Sequence, residues 1–403
     1  MRTLLVTGPG GSGRTTVAAA TALASARSGK RTLLLSGEAG GALGIAVGTE
    51  PDRVTDDLWA VRVDSGAHFR GELLAFQERS TAALDLLGAH RLEDEELTEL
   101  PGSEQFAMLR ALRDAAAGGW DVLVVDMPPV LGTLGLIALP EQLRRYLRRL
   151  LPPERQAARA LRPVLAQLAG VPMPAQWLYE MAARWERELS AVQELFEDRN
   201  TTVRLVAEPG PAGEDALRTA RLGLALYGTA VDTLVANRVL PPKSPDPWLA
   251  GLQAQQDKVL RRWYEEWESA CPVREVQHLG RDPRGRDDLT MLGGPLEPGT
   301  SSEPSETWEP ASGPGRREPW GSIEGPAGDD GILLWRLALP GAVKEELDLV
   351  RRGDELLLTV GPFRRIVPLP SVLRRCTVSG AGLVDGVLGI RFTPDPALWP
   401  RGR

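Results

Sequence analysis

The fold class this sequence predicts is a three-layer α/β domain with a mostly parallel sheet and a helical insert, followed by a small all-β sandwich. Three observations predict it. Residues 3–17 run from a short apolar strand through a glycine-rich turn into an alanine-rich helix. Short apolar runs at 31–36, 120–126, 203–207 and 231–236 alternate with helical stretches, and such runs belong to a parallel sheet covered by helices on both faces. Beyond residue 330 the pattern changes to short strands at 332–339, 355–360, 364–369 and 387–392, parted by Pro and Gly turns, as in a sandwich.

The first strand leads into Gly8-Pro9-Gly10-Gly11-Ser12-Gly13-Arg14-Thr15, which fits the phosphate-loop pattern G-x-x-x-x-G-K-[ST] of P-loop NTPases except that Arg14 replaces the lysine. A backbone that wraps a phosphate must turn tightly and keep Cβ atoms out of the way, which is the task of Gly10, Gly11 and Gly13. The helix that follows points its positive end at the anion. Thr15 is placed to give its hydroxyl to a magnesium ion, and Thr16 to reach an adjacent phosphate oxygen. Arginine is a longer planar fork that binds oxyanions but cannot occupy a lysine's position, so this replacement weighs more on catalysis than on binding. A glycine turn that joins strand to helix and binds nothing would share the same outline.

The next elements follow in order. Residues 31–36 form a buried strand that runs into Gly37-Glu38-Ala39-Gly40-Gly41, and 58–63 a weaker one. A helical subdomain covers about 68–118, broken at Pro101-Gly102, and about 138–200. In its second part Leu178, Met181, Trp185, Leu189, Val192 and Phe196 recur three or four residues apart and make one face apolar. Between them the strand 120–126 ends in the carboxylate of Asp126. After the strands at 203–207 and 231–236, separated by a helix at 215–226, a last helix spans about 248–267. Residues 293–330 hold eight Gly, seven Pro and five Ser, a composition that cannot bury enough apolar surface to order itself and reads as a flexible linker. The domains are thus 1–292, the linker 293–330, and the sandwich 331–395.

Composition narrows the function. At net charge −7 with no long basic run, the chain lacks the electrostatic footprint of a nucleic-acid binder. Only Lys30, Lys243, Lys258 and Lys344 among the 47 basic residues are lysines, which points to a general preference for arginine and tempers the weight of Arg14. Cys271 and Cys376 lie in different domains, so neither a disulfide framework nor a cysteine metal site is expected. The histidines His68, His90 and His278 are isolated. With neither a secretory segment nor an apolar stretch fit for a membrane span, a soluble cytoplasmic protein with no integral membrane segment is expected.

The order of strand, phosphate loop, helix, strand, Ser-Gly-Glu, helical insert and strand-Asp resembles the ArsA arsenite-pump ATPases and the related tail-anchored-protein targeting ATPases, over residues 1 to about 280. That family's loop reads K-G-G-x-G-K-T-[ST], matched here by Pro9-Gly10-Gly11-Ser12-Gly13-Arg14-Thr15-Thr16. Both lysines are replaced. The resemblance implies a homodimer whose first lysine reaches the partner's nucleotide, a role closed to Pro9. The family's S-T-D-P-A-H-S switch, whose Asp orients the attacking water, is similar to Ser36-Gly37-Glu38-Ala39-Gly40-Gly41-Ala42. Its D-x-A-P-T-G-x-T-L-R is similar to the stretch from Asp126 to Gly135, with Asp126 and Pro129 kept. The resemblance therefore marks Glu38 and Asp126 as catalytic carboxylates, Thr15 and Asp126 as Mg2+ holders, and Asn237 as the adenine-reading amide of bound ATP or ADP. A strand-end cap at Asp126 and a turn cap at Asn237 are the alternatives.

Residues 331–395 resemble the α-crystallin domain of small heat-shock proteins, through Leu339-Pro340-Gly341-Ala342-Val343-Lys344-Glu345-Glu346-Leu347 and Ala381-Gly382-Leu383-Val384-Asp385-Gly386-Val387-Leu388. Such a sandwich either adds a peptide strand to an edge or packs on its own ATPase domain. The functional expectation is a nucleotide-binding ATPase relative with impaired hydrolysis that handles a hydrophobic protein client along Trp177, Leu178, Met181 and Trp185. The same stripe fits plain core packing. A scaffold or holdase that binds no nucleotide is the alternative from another class, and an arsenite motor is disfavoured by the scarcity of thiols.

Overall fold

A computed structural model describes residues 1–79, 92–151, 175–241, 245–296, 321–327 and 331–398. Its larger sheet has eight strands: β1 (Arg2–Thr7), β2 (Thr32–Ser36), β3 (Asp52–Arg53), β4 (Leu58–Arg62), β5 (Val122–Asp126), β6 (Thr201–Ala207), β7 (Val231–Val239) and β8 (Val273–Gln277). They lie in the order β3-β4-β2-β5-β1-β6-β7-β8, parallel except for the short β3. β1 is central and every one of its residues after Arg2 is buried, which is why its sequence is an unbroken apolar and threonine run. Ligands of such sheets bind beyond the carboxyl ends of the strands, which is where Gly8 begins.

One face of the sheet is covered by α1 (Arg14–Arg27), α2 (Ala39–Leu43) and, from the far end of the domain, α9 (Gly285–Gly293). The other is covered by α4 (Ser103–Ala116), α5 (Val130–Leu150), α6 (Ala175–Glu197), α7 (Pro211–Leu226) and α8 (Pro247–Trp267). The remaining helix, α3 (Ser65–Arg79), packs with α4. Leu189, Val192 and Phe196 of the α6 stripe are buried, so its C-terminal half is core. The side chains of Trp177 and Leu178, like His90 and residues 152–174, lie outside the described residues.

The second domain pairs β14 (Cys376–Val384), β15 (Val387–Pro394), β10 (Ile332–Ala338) and β9 (Ser322–Ala327) in one antiparallel sheet. β11 (Leu347–Arg352), β12 (Glu355–Val360) and β13 (Phe363–Pro368) form the other. Two differences from the sequence reading concern the stretch expected to be a linker. Residues 322–327 add β9 to the sheet beside β10, because backbone pairing needs no apolar side chains at an edge. Gly294–Leu296 forms a short 3-10 turn whose Leu296 carbonyl accepts from the buried Arg204 at 2.7 Å. The sandwich packs against the N-terminal domain, as one of the two expected roles requires.

That packing joins α5 and α7 to the β11-β12-β13 sheet. Arg145 holds Glu355 with two hydrogen bonds of 2.9 Å, and Arg149 adds a third at 2.9 Å. Arg365 donates to the Leu226 carbonyl at 2.8 Å and pairs with Glu141 at 3.3 Å. Between these charges Gly223 lets the Phe363 ring lie on α7. A Cβ there would collide with Leu134 and stand 3.1 Å from Phe363. Gly223→Ala is therefore expected to cost about 1–3 kcal/mol, the usual range for overpacking. A melting temperature equal to that of the native protein would show the interface to be looser than described.

Candidate functional site

The loop after β1 is shaped by glycine. Gly13 has φ 87°, in the left-handed region, and a Cβ there would collide with the Asn237 amide. A Cβ at Gly8 would fall on the Val206 carbonyl of the neighbouring β6. Only glycine fits both constraints. Gly10 and Gly11 are exposed at the apex, and Thr15 and Thr16 sit half-buried in the first turn of α1.

Asp126, at the end of β5, lies beside this turn. Its Oδ2 accepts from the Thr15 hydroxyl at 2.7 Å and from the Ser36 hydroxyl at 2.7 Å. Burial raises the Asp126 pKa, and the two hydroxyls and the nearby Arg14 pull it back down. A carboxylate with two hydroxyls is a hard oxygen set of the kind Mg2+ takes when phosphates complete its shell. The residues therefore fit the ion. Among the described residues no cluster of three His, Cys, Asp or Glu offers another metal site.

Arg14 turns across the same space. Its Nη1 donates to the Met127 carbonyl at 2.5 Å, and burial lowers its pKa from the ordinary arginine value. Glu38 differs: its backbone N–H donates to the Ser36 hydroxyl at 3.0 Å, while its side chain is exposed on the loop before α2. The structure thus brings Arg14, Thr15 and Asp126 together and leaves Glu38 at the rim. Asn237 is buried behind the loop, its Nδ2 donating to the Ser12 carbonyl at 2.7 Å.

The sequence reading missed three contributors. Ser36 entered only as the first letter of a motif, yet its hydroxyl completes the Asp126 set. Arg238, beside Asn237, donates to the Gly11 carbonyl at 3.0 Å and faces Glu208 at 3.5 Å. Glu208, on the turn after β6, is a contact no spacing rule could have supplied. A cavity of about 720 Å³ lies against this side of the loop, with Pro9, Ser12, Glu208, Arg238, Gln256 and His278 in its wall.

The comparisons with known proteins place the chain in a family. The family model described as anion-transporting ATPase matches residues 1–297, and that of an HSP20-like domain found in ArsA matches residues 330–392. An uncharacterized protein of Streptomyces coelicolor is 59% identical over the full length of both chains. A putative arsenical pump-driving ATPase of Aquifex aeolicus is 25% identical over 93% of this chain and 95% of its own. The ATPase get3 of Aspergillus terreus is 26% identical over 72% of this chain and 88% of its own. With its phosphate loop, the Asp126 carboxylate and the appended sandwich, the chain belongs to the anion-transporting ATPase family and carries that family's HSP20-like domain.

Proposed function

We propose that this protein binds ATP or ADP with Mg2+ at the β1–α1 loop, hydrolyses ATP slowly or not at all, and uses the bound state to handle apolar protein segments. The observation that carries the reading is the convergence of Thr15 and Ser36 on Asp126 while Arg14 is tied to the Met127 carbonyl. The first half is what binding a metal–phosphate needs. The second is what fast phosphoryl transfer does not tolerate.

Thr15 and Asp126 would hold Mg2+, and the ion would neutralise phosphate charge there. The loop's backbone N–H groups and the start of α1 would bind the phosphates. The Ser12 hydroxyl, 3% exposed, has no hydrogen-bond partner among the described residues, and it lines the adjacent cavity, so an oxygen of a bound nucleotide there would satisfy it. Catalysis is weaker on two counts. A guanidinium committed to a carbonyl gives less to the transition state than a free lysine, and an exposed Glu38 among Gly37, Gly40 and Gly41 is poorly preorganised to orient water.

The client surface is the exposed part of the helical subdomain. Trp185 of α6 and Phe106 of α4, 38% and 39% exposed, meet with ring centroids 5.9 Å apart. This is a small apolar outcrop where a protein segment could rest. Driving an arsenical pump, as the name of the Aquifex relative has it, would require accessible thiolates for the metalloid. Cys271 is buried and its thiol is pushed up to about 12, chiefly by burial, and Cys376 is buried in the sandwich. A homodimer closed around nucleotide would have to do without the cross-subunit cation that Pro9 replaces.

Calorimetric titration with ATP and ADP, with and without Mg2+, tests the reading. Arg14→Lys is expected to tighten binding or speed turnover by about tenfold, the 1.4 kcal/mol of one regained ionic contact. Robust Mg2+-dependent turnover by the native protein that is lost in Arg14→Ala would refute impaired hydrolysis. Binding to neither form would favour a scaffold that holds clients without nucleotide.

The Asp126 carboxyl generates a pH prediction for the protein in chelator, without nucleotide. Its raised pKa means the folded state holds the proton more tightly than the unfolded chain, so ionisation at neutral pH costs stability. Asp126→Asn should raise the melting temperature at pH 7, by roughly 1–2 °C for each kcal/mol recovered in a domain of this size. The gap should close as the pH falls through the raised value toward the ordinary carboxylate range. The same variant should lose the Mg2+ dependence of nucleotide affinity. Equal melting temperatures at pH 7 would show that the two hydroxyls offset the burial.

A further inference from the structure

The end of β7 is built in an unusual way. Successive side chains of a strand point to opposite faces. Here the neighbours Asn237 and Arg238 both reach the phosphate loop, taking the Ser12 carbonyl at 2.7 Å and the Gly11 carbonyl at 3.0 Å. The device that allows it is at Arg238, whose φ of 57° lies in the left-handed region. The ladder to β8 shifts register between Ala236 and Val239, as at a bulge that re-aims a side chain.

Such a conformation costs a residue with a side chain on the order of 1–3 kcal/mol and persists only where its surroundings hold it. Gln256 of α8, 8% exposed, does so from behind. Its Nε2 donates to the Arg238 carbonyl at 3.2 Å, and its Oε1 accepts from the Leu240 N–H at 2.9 Å. Glu208 faces the guanidinium from the other side at 3.5 Å. Two elements from opposite sides thus keep one arginine in a strained pose against the loop.

The consequence for the loop follows from peptide geometry. The C=O of one residue and the N–H of the next point in opposite directions across a trans peptide. Holding the Gly11 carbonyl turns the Ser12 N–H back into the loop, where it donates to the Pro9 carbonyl at 3.3 Å. Holding the Ser12 carbonyl turns the Gly13 N–H away from Asn237, toward the phosphate side.

We propose that Arg238 is a positioning residue for phosphate binding: with Asn237 it sets the loop in its anion-binding shape before the ligand arrives. The proposal rests on the nucleotide reading above for its ligand. Its strut role is independent of that reading.

The test uses the full chain in three forms, native, Arg238→Ala and Arg238→Lys. Amide exchange of residues 10–14 in the nucleotide-free protein is expected to quicken about tenfold in the alanine form, the loss of one charge-assisted hydrogen bond. Most of it should return in the lysine form, because an ammonium can reach the same carbonyl. The Kd for ADP with Mg2+ should rise about tenfold with alanine and recover with lysine, while the melting temperature stays within about 2 °C of the native value. Unchanged exchange in Arg238→Ala, or equal loss in the alanine and lysine forms, overturns the proposal. Failure of the native chain to bind ADP would end the nucleotide reading, and the exchange measurement would still decide whether Arg238 shapes the loop. A fall in melting temperature that tracks the loss of binding would make the arginine a general structural prop and overturn its specific role.

Discussion

A half-buried carboxylate has to be partnered, and the N-terminal domain is arranged around the partners of Asp126. Its Oδ2 is shared by hydroxyls from the start of α1 and the end of β2, so one atom ties three neighbouring elements at the carboxyl edge of the sheet. The segment that follows is bound just as closely. The Met127 N–H donates to the Val6 carbonyl at 2.9 Å, and the Val130 N–H to the Gly8 carbonyl at 3.3 Å. The buried Thr7 and Thr133 hydroxyls meet at 2.9 Å and both reach the Pro128 carbonyl. The first turn of α5 is therefore fastened to the loop after β1 and to the end of β1 itself.

A second constraint sits at the opposite edge of the sheet. Arg204 and Asp232, 3% and 6% exposed, pair at 2.7 Å, with Arg2 3.4 Å from the same carboxylate oxygen. Removing one member of such a pair would leave an uncompensated charge in the interior, which is far costlier than the net worth of the pair. The arginine's other Nη spans from Thr21 of α1 to the Leu296 carbonyl. This contact seats the end of the domain on α1.

What was legible in the sequence follows from how local each cause is. The central strands β1, β2, β5, β6 and β7 announce themselves because burial on both faces demands uninterrupted apolar runs. β8 (Val-Arg-Glu-Val-Gln) and β11 (Leu-Asp-Leu-Val-Arg-Arg) did not, since a strand at the edge of its sheet can carry charges. β14 was hidden by Gly380 and Gly382. That the loop from Gly8 to Thr16 would lie beside Asp126 was readable because a motif records spacing, whereas the hold of Asn237 on the Ser12 carbonyl was not. Arg238 was not, because its reach to Gly11 spans 227 positions and depends on a backbone angle and on Gln256. Residue types at fixed offsets survive in a sequence pattern, whereas a clamp assembled from three distant elements does not.

The C-terminal half of α5 shows how the sandwich acquires a fixed place. Residues four apart share a helix face, so Arg144 with Arg148 and Arg145 with Arg149 make two adjacent stripes. The first stripe meets Glu186 of α6, and the second meets Glu355 of β12. Arg148 and Arg149 are about half exposed, so these pairs are worth little individually, within about 1 kcal/mol each. Stability at the contact comes instead from the apolar surface that Phe363 buries against Gly223 and Leu134. The charges supply what burial lacks, which is direction: an apolar patch tolerates sliding, whereas a two-pronged arginine–carboxylate pair accepts one register. Since α5 is held at its other end by the loop after β1, one helix touches both that loop and the sandwich.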